Sequence, residues 1–112
     1  YALNFPKRIK SSAPKLDLIK IKSLNFEEPN KKIFKHLDLA YEAIKFGGSY
    51  GCVLNASNEV AVSAFLKEKI RFIDMIKIIE KSIEKITFVQ NPNLEDLLEI
   101  DLETRKFANS II

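Results

Sequence analysis

The segment LNASNEVAVSAFL, residues 54–66, constrains this chain more than any other, because as a helix it is apolar around most of its circumference. At 100° per residue, Leu54, Ala61, Val62, Phe65 and Leu66 share one arc, and Asn55 and Asn58 fall inside it. Only Glu59, Ser63 and Lys67 make a plainly wet face, so this helix needs protein on nearly every side. An amide buried without a partner costs on the order of 1–3 kcal/mol. Asn55 and Asn58 are therefore expected to be structural amides bonded to backbone of neighbouring loops or helix ends, with a substrate contact as the sharper alternative.

A helix so enclosed needs companions, and the sequence supplies them. From about residue 31, Ile33, Leu37, Ala40, Tyr41 and Ile44 recur at helical spacing before Gly47 and Gly48, a C-terminal cap signal. The enclosed helix covers about 51–68. A third, about 73–86, places Ile73, Ile76, Ile79, Ile83 and Ile86 on one side and Lys77, Glu80, Lys81, Glu84 and Lys85 on the other. After the turn at 89–93, Asn93 can cap a short helix from Leu94, and Asp101 can cap a last one.

Residues 1–32 read differently. They hold Pro6, Pro14 and Pro29, and KLDLIKIK (15–22) alternates apolar with polar, which favours a half-buried strand. SLNFEEP (23–29) reads as a second short strand stopped by Pro29. The expected fold is thus mainly α, a small bundle of about four helices (33–112) preceded by an extended arm (1–32) with two short β-strands. Two strands alone are marginal in water, so the arm wants a sheet from elsewhere.

Charge and cysteine usage exclude several classes. No run of about 18 apolar residues and no secretory leader is present, so neither a membrane span nor export is expected. Cys52 is the only cysteine and His36 the only histidine, which rules out an intrachain disulfide or a Cys/His metal cluster and suits a reducing, cytoplasmic setting. Residues 1–35 carry nine Lys/Arg against Asp17, Glu27 and Glu28, a net +6 within a chain of net +3. A basic arm can meet nucleic acid or an acidic partner. The lysines are dispersed and lack interleaved aromatics, so a solvated or subunit-facing segment is the better reading.

Within the chain itself no catalytic constellation stands out. FGGSYG (46–51) lacks the G-K-[ST] ending and a preceding strand, so it reads as a helix-to-helix turn rather than a phosphate cradle. His36 has no second histidine near it and reads as a boundary residue. Cys52 opens a helix with no base beside it and reads as a core filler. Glu59, Glu80 and Glu84 are spaced for pairing with lysines, not for a metal.

The order of the motifs says more than their chemistry. YALNFPKR (1–8), the proline and LDL of 14–18, SLNFEEP (23–29), LDLAYEAIKFGG (37–48) and VLNASNEVAVSAFLKEKIRFIDM (53–75) resemble, in sequence and order, the C-terminal portion of the 1-deoxy-D-xylulose 5-phosphate reductoisomerase family. The likeness runs from Tyr1 to about Ile86 and thins to pattern beyond Asn91. It implies an intact enzyme that converts 1-deoxy-D-xylulose 5-phosphate to 2-C-methyl-D-erythritol 4-phosphate in non-mevalonate isoprenoid biosynthesis. NADPH and a divalent cation (Mg or Mn) serve that enzyme, which is a homodimer.

The cofactor domain, metal carboxylates and phosphate contacts of the family lie upstream of the part resembled here. The implied role of this segment is therefore structural, without activity, cofactor or metal of its own. By the same resemblance Leu3 lies near the nicotinamide and substrate pocket, and residues 15–27 join the sheet through which subunits associate. The alternative is a free-standing helical binding module that uses its basic arm.

Overall fold

The computed structural model describes residues 2–10 and 12–112. After a 3-10 turn at Ala2–Asn4 come α1 (Leu18–Ile21), α2 (His36–Phe46), α3 (Tyr50–Leu66), α4 (Phe72–Lys85) and α5 (Leu94–Ser110). Helix α3 is the centre: it packs extensively on α4 and α5 and along part of its length on α2.

The helices start and stop where local chemistry dictates. Gly47 ends α2 at φ +65° with its N–H on the Ala43 carbonyl. Asn93 caps α5 through a reciprocal capping box, its Oδ1 accepting from the Asp96 N–H at 2.8 Å while Asp96 Oδ2 accepts from the Asn93 N–H at 2.9 Å. Helix α5 then runs unbroken to Ser110. Asp101 lies inside it, paired with Arg105 one turn on, and caps nothing.

Close helix approach is made with small residues. Ala56, Ser57, Ala61 and Ala64 of α3, Ser82 of α4 and Thr104 and Ala108 of α5 are all buried. The three hydroxyls among these donate to the carbonyl four residues back: Ser57 to Val53 at 2.7 Å, Ser82 to Ile78 at 2.8 Å, Thr104 to Ile100 at 2.6 Å. No polar group is thereby stranded in the seam. Two apolar clusters flank this seam, one around Val60, Ala61, Met75, Ile78 and Ala108, the other around Val53, Ile86 and Ile100.

On α4 the buried face is Met75, Ile78, Ile79 and Ser82, a stripe rotated from the isoleucine ladder read in sequence. Ile79 and Ile86 are inside as expected, but Ile73 is 58% exposed. The small, fully buried Ser82 lies on this face.

The arm corrects the sequence reading. Among the described residues there is no strand, and both predicted strands, 15–22 and 23–29, are absent. The reason is local: no sheet edge is offered to these residues, so the backbone satisfies itself along the chain. Asp17 Oδ1 accepts from the N–H groups of Ile19 and Lys20 at 3.1 and 3.2 Å, and Lys22 N–H donates to Leu18 at 2.9 Å. One short turn of helix results. Every described residue from 2 to 35 is exposed, Leu3 at 98% and Phe26 at 88% among them.

Candidate functional site

The enclosed helix inferred from sequence is enclosed on one side only. Val53, Ala56, Ser57, Val60, Ala61 and Ala64 of α3 are buried. The opposite side carries Leu54, Asn58 and Val62, half-buried, and Leu66, 74% exposed. Asn55 is exposed, and its Nδ2 donates to Glu59 Oε1 one turn on at 3.3 Å, not to a neighbouring backbone group. Among the described residues the Asn58 side-chain amide forms no hydrogen bond.

Where α2 begins beside this face, a hollow of about 260 Å³ is lined by His36, Gly51, Leu54, Asn55 and Asn58. His36 is half-buried, and its Nε2 is buried with no partner. The structure thus brings together the only histidine and both amides singled out in the sequence. What the sequence could not show is the histidine's place beside α3, because residues 36 and 58 meet only in the fold.

The glycine-rich turn between α2 and α3 answers to packing. Gly48, at φ +53°, lies so close to the end of the α4–α5 connection that a Cβ there would stand 2.5 Å from the Val89 carbonyl oxygen and 2.8 Å from the Phe88 ring. Beside it, fully buried Ser49 makes a two-way clasp with Val89: its N–H donates to the Val89 carbonyl and its Oγ accepts from the Val89 N–H, both at 2.9 Å.

Charged groups tie the helices at their rims. Arg105 of α5 donates through Nε to Asp101 Oδ2 at 2.7 Å and through Nη2 to Glu59 Oε2 of α3 at 2.8 Å. The Arg105 guanidinium holds the Glu59 carboxyl below the usual carboxylate range. Lys35 reaches Glu80 of α4 at 3.2 Å. Tyr50 donates its hydroxyl to Glu42 at 2.7 Å, and burial, followed by that carboxylate, pushes its pKa up to about 12.

Cys52 is half-buried, its thiol facing the Leu97 carbonyl at 3.4 Å, and burial raises its pKa, so thiolate chemistry is disfavoured. Leu3 stands out in solvent on the arm. Among the described residues no three His, Cys, Asp or Glu are grouped to hold a metal ion. No helix among them is long and apolar enough to cross a membrane.

The model of the family described as DXP reductoisomerase C-terminal domain matches residues 1–107. The chain belongs to the 1-deoxy-D-xylulose 5-phosphate reductoisomerase family. It corresponds to the C-terminal portion, and the match continues well beyond Asn91, where likeness by eye gives out. The 1-deoxy-D-xylulose 5-phosphate reductoisomerase of Phocaeicola vulgatus is 44% identical over 112 residues, which is 100% of this chain and 29% of that protein. That of Geobacillus sp. is 47% identical over 113 residues, 100% of this chain and 30% of the relative.

A solved structure of the reductoisomerase from Zymomonas mobilis, in complex with NADPH, superposes with a TM-score of 0.84 at 43% identity, over 97% of this chain and 29% of that one. The chain therefore spans less than a third of the length of the reductoisomerases it matches.

Proposed function

We propose that this segment is the structural C-terminal unit of an NADPH-dependent reductoisomerase that converts 1-deoxy-D-xylulose 5-phosphate to 2-C-methyl-D-erythritol 4-phosphate with a divalent cation, Mg or Mn. The observation that carries the reading is a family match along 107 residues combined with coverage of only 29% of each of the first relatives. The chemistry then belongs to the upstream portion. In support, the carboxylates placed here as Asp74, Asp101 and Glu59 are occupied by arginines and lysines.

In this reading the bundle, 33–112, holds the shape of the catalytic portion, and the arm, 1–32, is the connecting segment that lies against it. The exposure of the arm's apolar side chains supports that role, with Leu3, Ile19 and Phe26 at 98%, 88% and 88%. Leu3 then stands near the nicotinamide and substrate pocket, Asn55 and Asn58 serve as structural amides, and the intact enzyme is a cytoplasmic homodimer.

The test is NADPH oxidation with 1-deoxy-D-xylulose 5-phosphate and Mg or Mn, comparing these 112 residues with the full-length chain. Activity in the long form alone is expected. Turnover by the short form would overturn the structural role, and turnover by neither would remove the enzyme. Tight, steeply salt-dependent binding of nucleic acid by the arm would favour the binding-module alternative instead.

A further inference from the structure

The open face of α3 is a shallow groove. Leu54, Asn58, Val62 and Leu66 lie at successive four-residue steps, one row on the helix surface, spanning about 18 Å. The hollow lined by His36, Gly51, Leu54, Asn55 and Asn58 adjoins a second, of about 380 Å³, lined by Asn58, Val62, Ser63 and Leu66 among others. Asn58 belongs to both, so the two shallow hollows adjoin along the open face of α3.

Two polar groups in these hollows lack partners. His36 Nε2 is buried and unbonded, and among the described residues the half-buried Asn58 amide makes no hydrogen bond. Buried ring nitrogens are almost always satisfied, so an unmet one beside an apolar row marks a contact still to be made. An amide offers one acceptor and two donors, the complement of a backbone peptide group. A length of about 18 Å accommodates some five residues of extended chain.

We infer that this groove seats an extended peptide segment of the upstream portion of the same polypeptide, its backbone bonded to His36 Nε2 and to the Asn58 amide and its small apolar side chains set against Leu54, Val62 and Leu66. The inference deepens the function proposed above and rests on it, since the relatives supply more than twice as much chain as lies here. The sequence points the same way: the helix reads as apolar nearly all round, and this is the side the bundle leaves uncovered.

The test uses the full-length enzyme with p-benzoylphenylalanine in place of Leu66, irradiated as a mixture of isotopically light and heavy chains, with crosslinked peptides mapped by mass. The expected product joins position 66 to a residue upstream of the 112 described by this sequence, within one chain. A crosslink to residues 1–32, a light–heavy crosslink or no crosslink overturns the inference.

Hydroxyl-radical footprinting of the unsubstituted enzyme needs no variant. There Leu66 should oxidise several-fold more slowly than in the unfolded chain, and an equal rate overturns the inference as well. Turnover of 1-deoxy-D-xylulose 5-phosphate, measured on the same sample, separates the two failures: an active enzyme with an open groove refutes the docking and leaves the function intact.

Discussion

Gly47 and Gly48 adjoin in sequence and share a positive φ, yet the structure asks different things of them. At Gly47 a Cβ meets nothing within 4 Å, so Gly47→Ala carries only the backbone cost of a conformation at φ +65° and ψ −142° that L residues rarely adopt, about 1–3 kcal/mol. At Gly48 a positive φ is joined by collision with the Val89 carbonyl, which is backbone and cannot rotate aside. Gly48→Ala should therefore lower the thermal midpoint clearly more than Gly47→Ala in parallel melts; equal losses would mean that the α4–α5 connection gives way freely. The pair of glycines was visible in the sequence as a turn. Which of them is indispensable was not, because the obstructing atoms belong to residues forty positions on.

Among the elements, the link between α3 and α5 depends on ionisation. Arg105 bridges Asp101 of its own helix and Glu59 of α3, and the Glu59 carboxyl titrates below its ordinary value. A depressed carboxylate pKa contributes stability that is present above the unfolded value, about 4.3, and is lost as pH falls through the lower folded value. Arg105→Gln should accordingly be less stable than the parent at neutral pH, with the gap narrowing as acid protonates Glu59. Urea titrations at neutral pH and near pH 3 check this, and a gap independent of pH would remove the ionic explanation. High salt should narrow it too, since these groups are partly exposed.

Helices α2, α3 and α4 were legible from apolar spacing and from the Gly47 end signal, and Asn93 marked the start of α5, but that helix was read as two, divided at Asp101, where the structure runs one helix through to Ser110. The arm was not: alternation in KLDLIKIK describes which side chains could share a face, while a strand also needs a neighbouring edge. The charge bridge escaped because Glu59 and Arg105 are 46 residues apart. For the amides, the wheel placed Asn55 and Asn58 on an apolar arc correctly, but it assumed that the arc is covered by these 112 residues. Asn55 turns to Glu59 instead.

Taken whole, the molecule is a bundle with a long appendage. Its radius of gyration is 18.7 Å, against about 13 Å for a compact domain of this length. Within the bundle, the helices adjoining in sequence can meet early, since α3 and α4 are separated only by residues 67–71. The clasp between Ser49 and Val89 closes a loop of 40 residues and ties the turn between α2 and α3 to the α4–α5 connection. Long closures of this kind come after local pairings in folding, because their entropy is paid before their bonds form. The clasp should therefore act as a brake on opening: in stopped-flow chevrons, Ser49→Ala is expected to steepen the rate of unfolding while refolding proceeds at the parent's pace, and a slowed refolding arm would place the clasp inside the nucleus. In kinetic terms, one buried hydroxyl sets how long the bundle lasts once made rather than how quickly it forms.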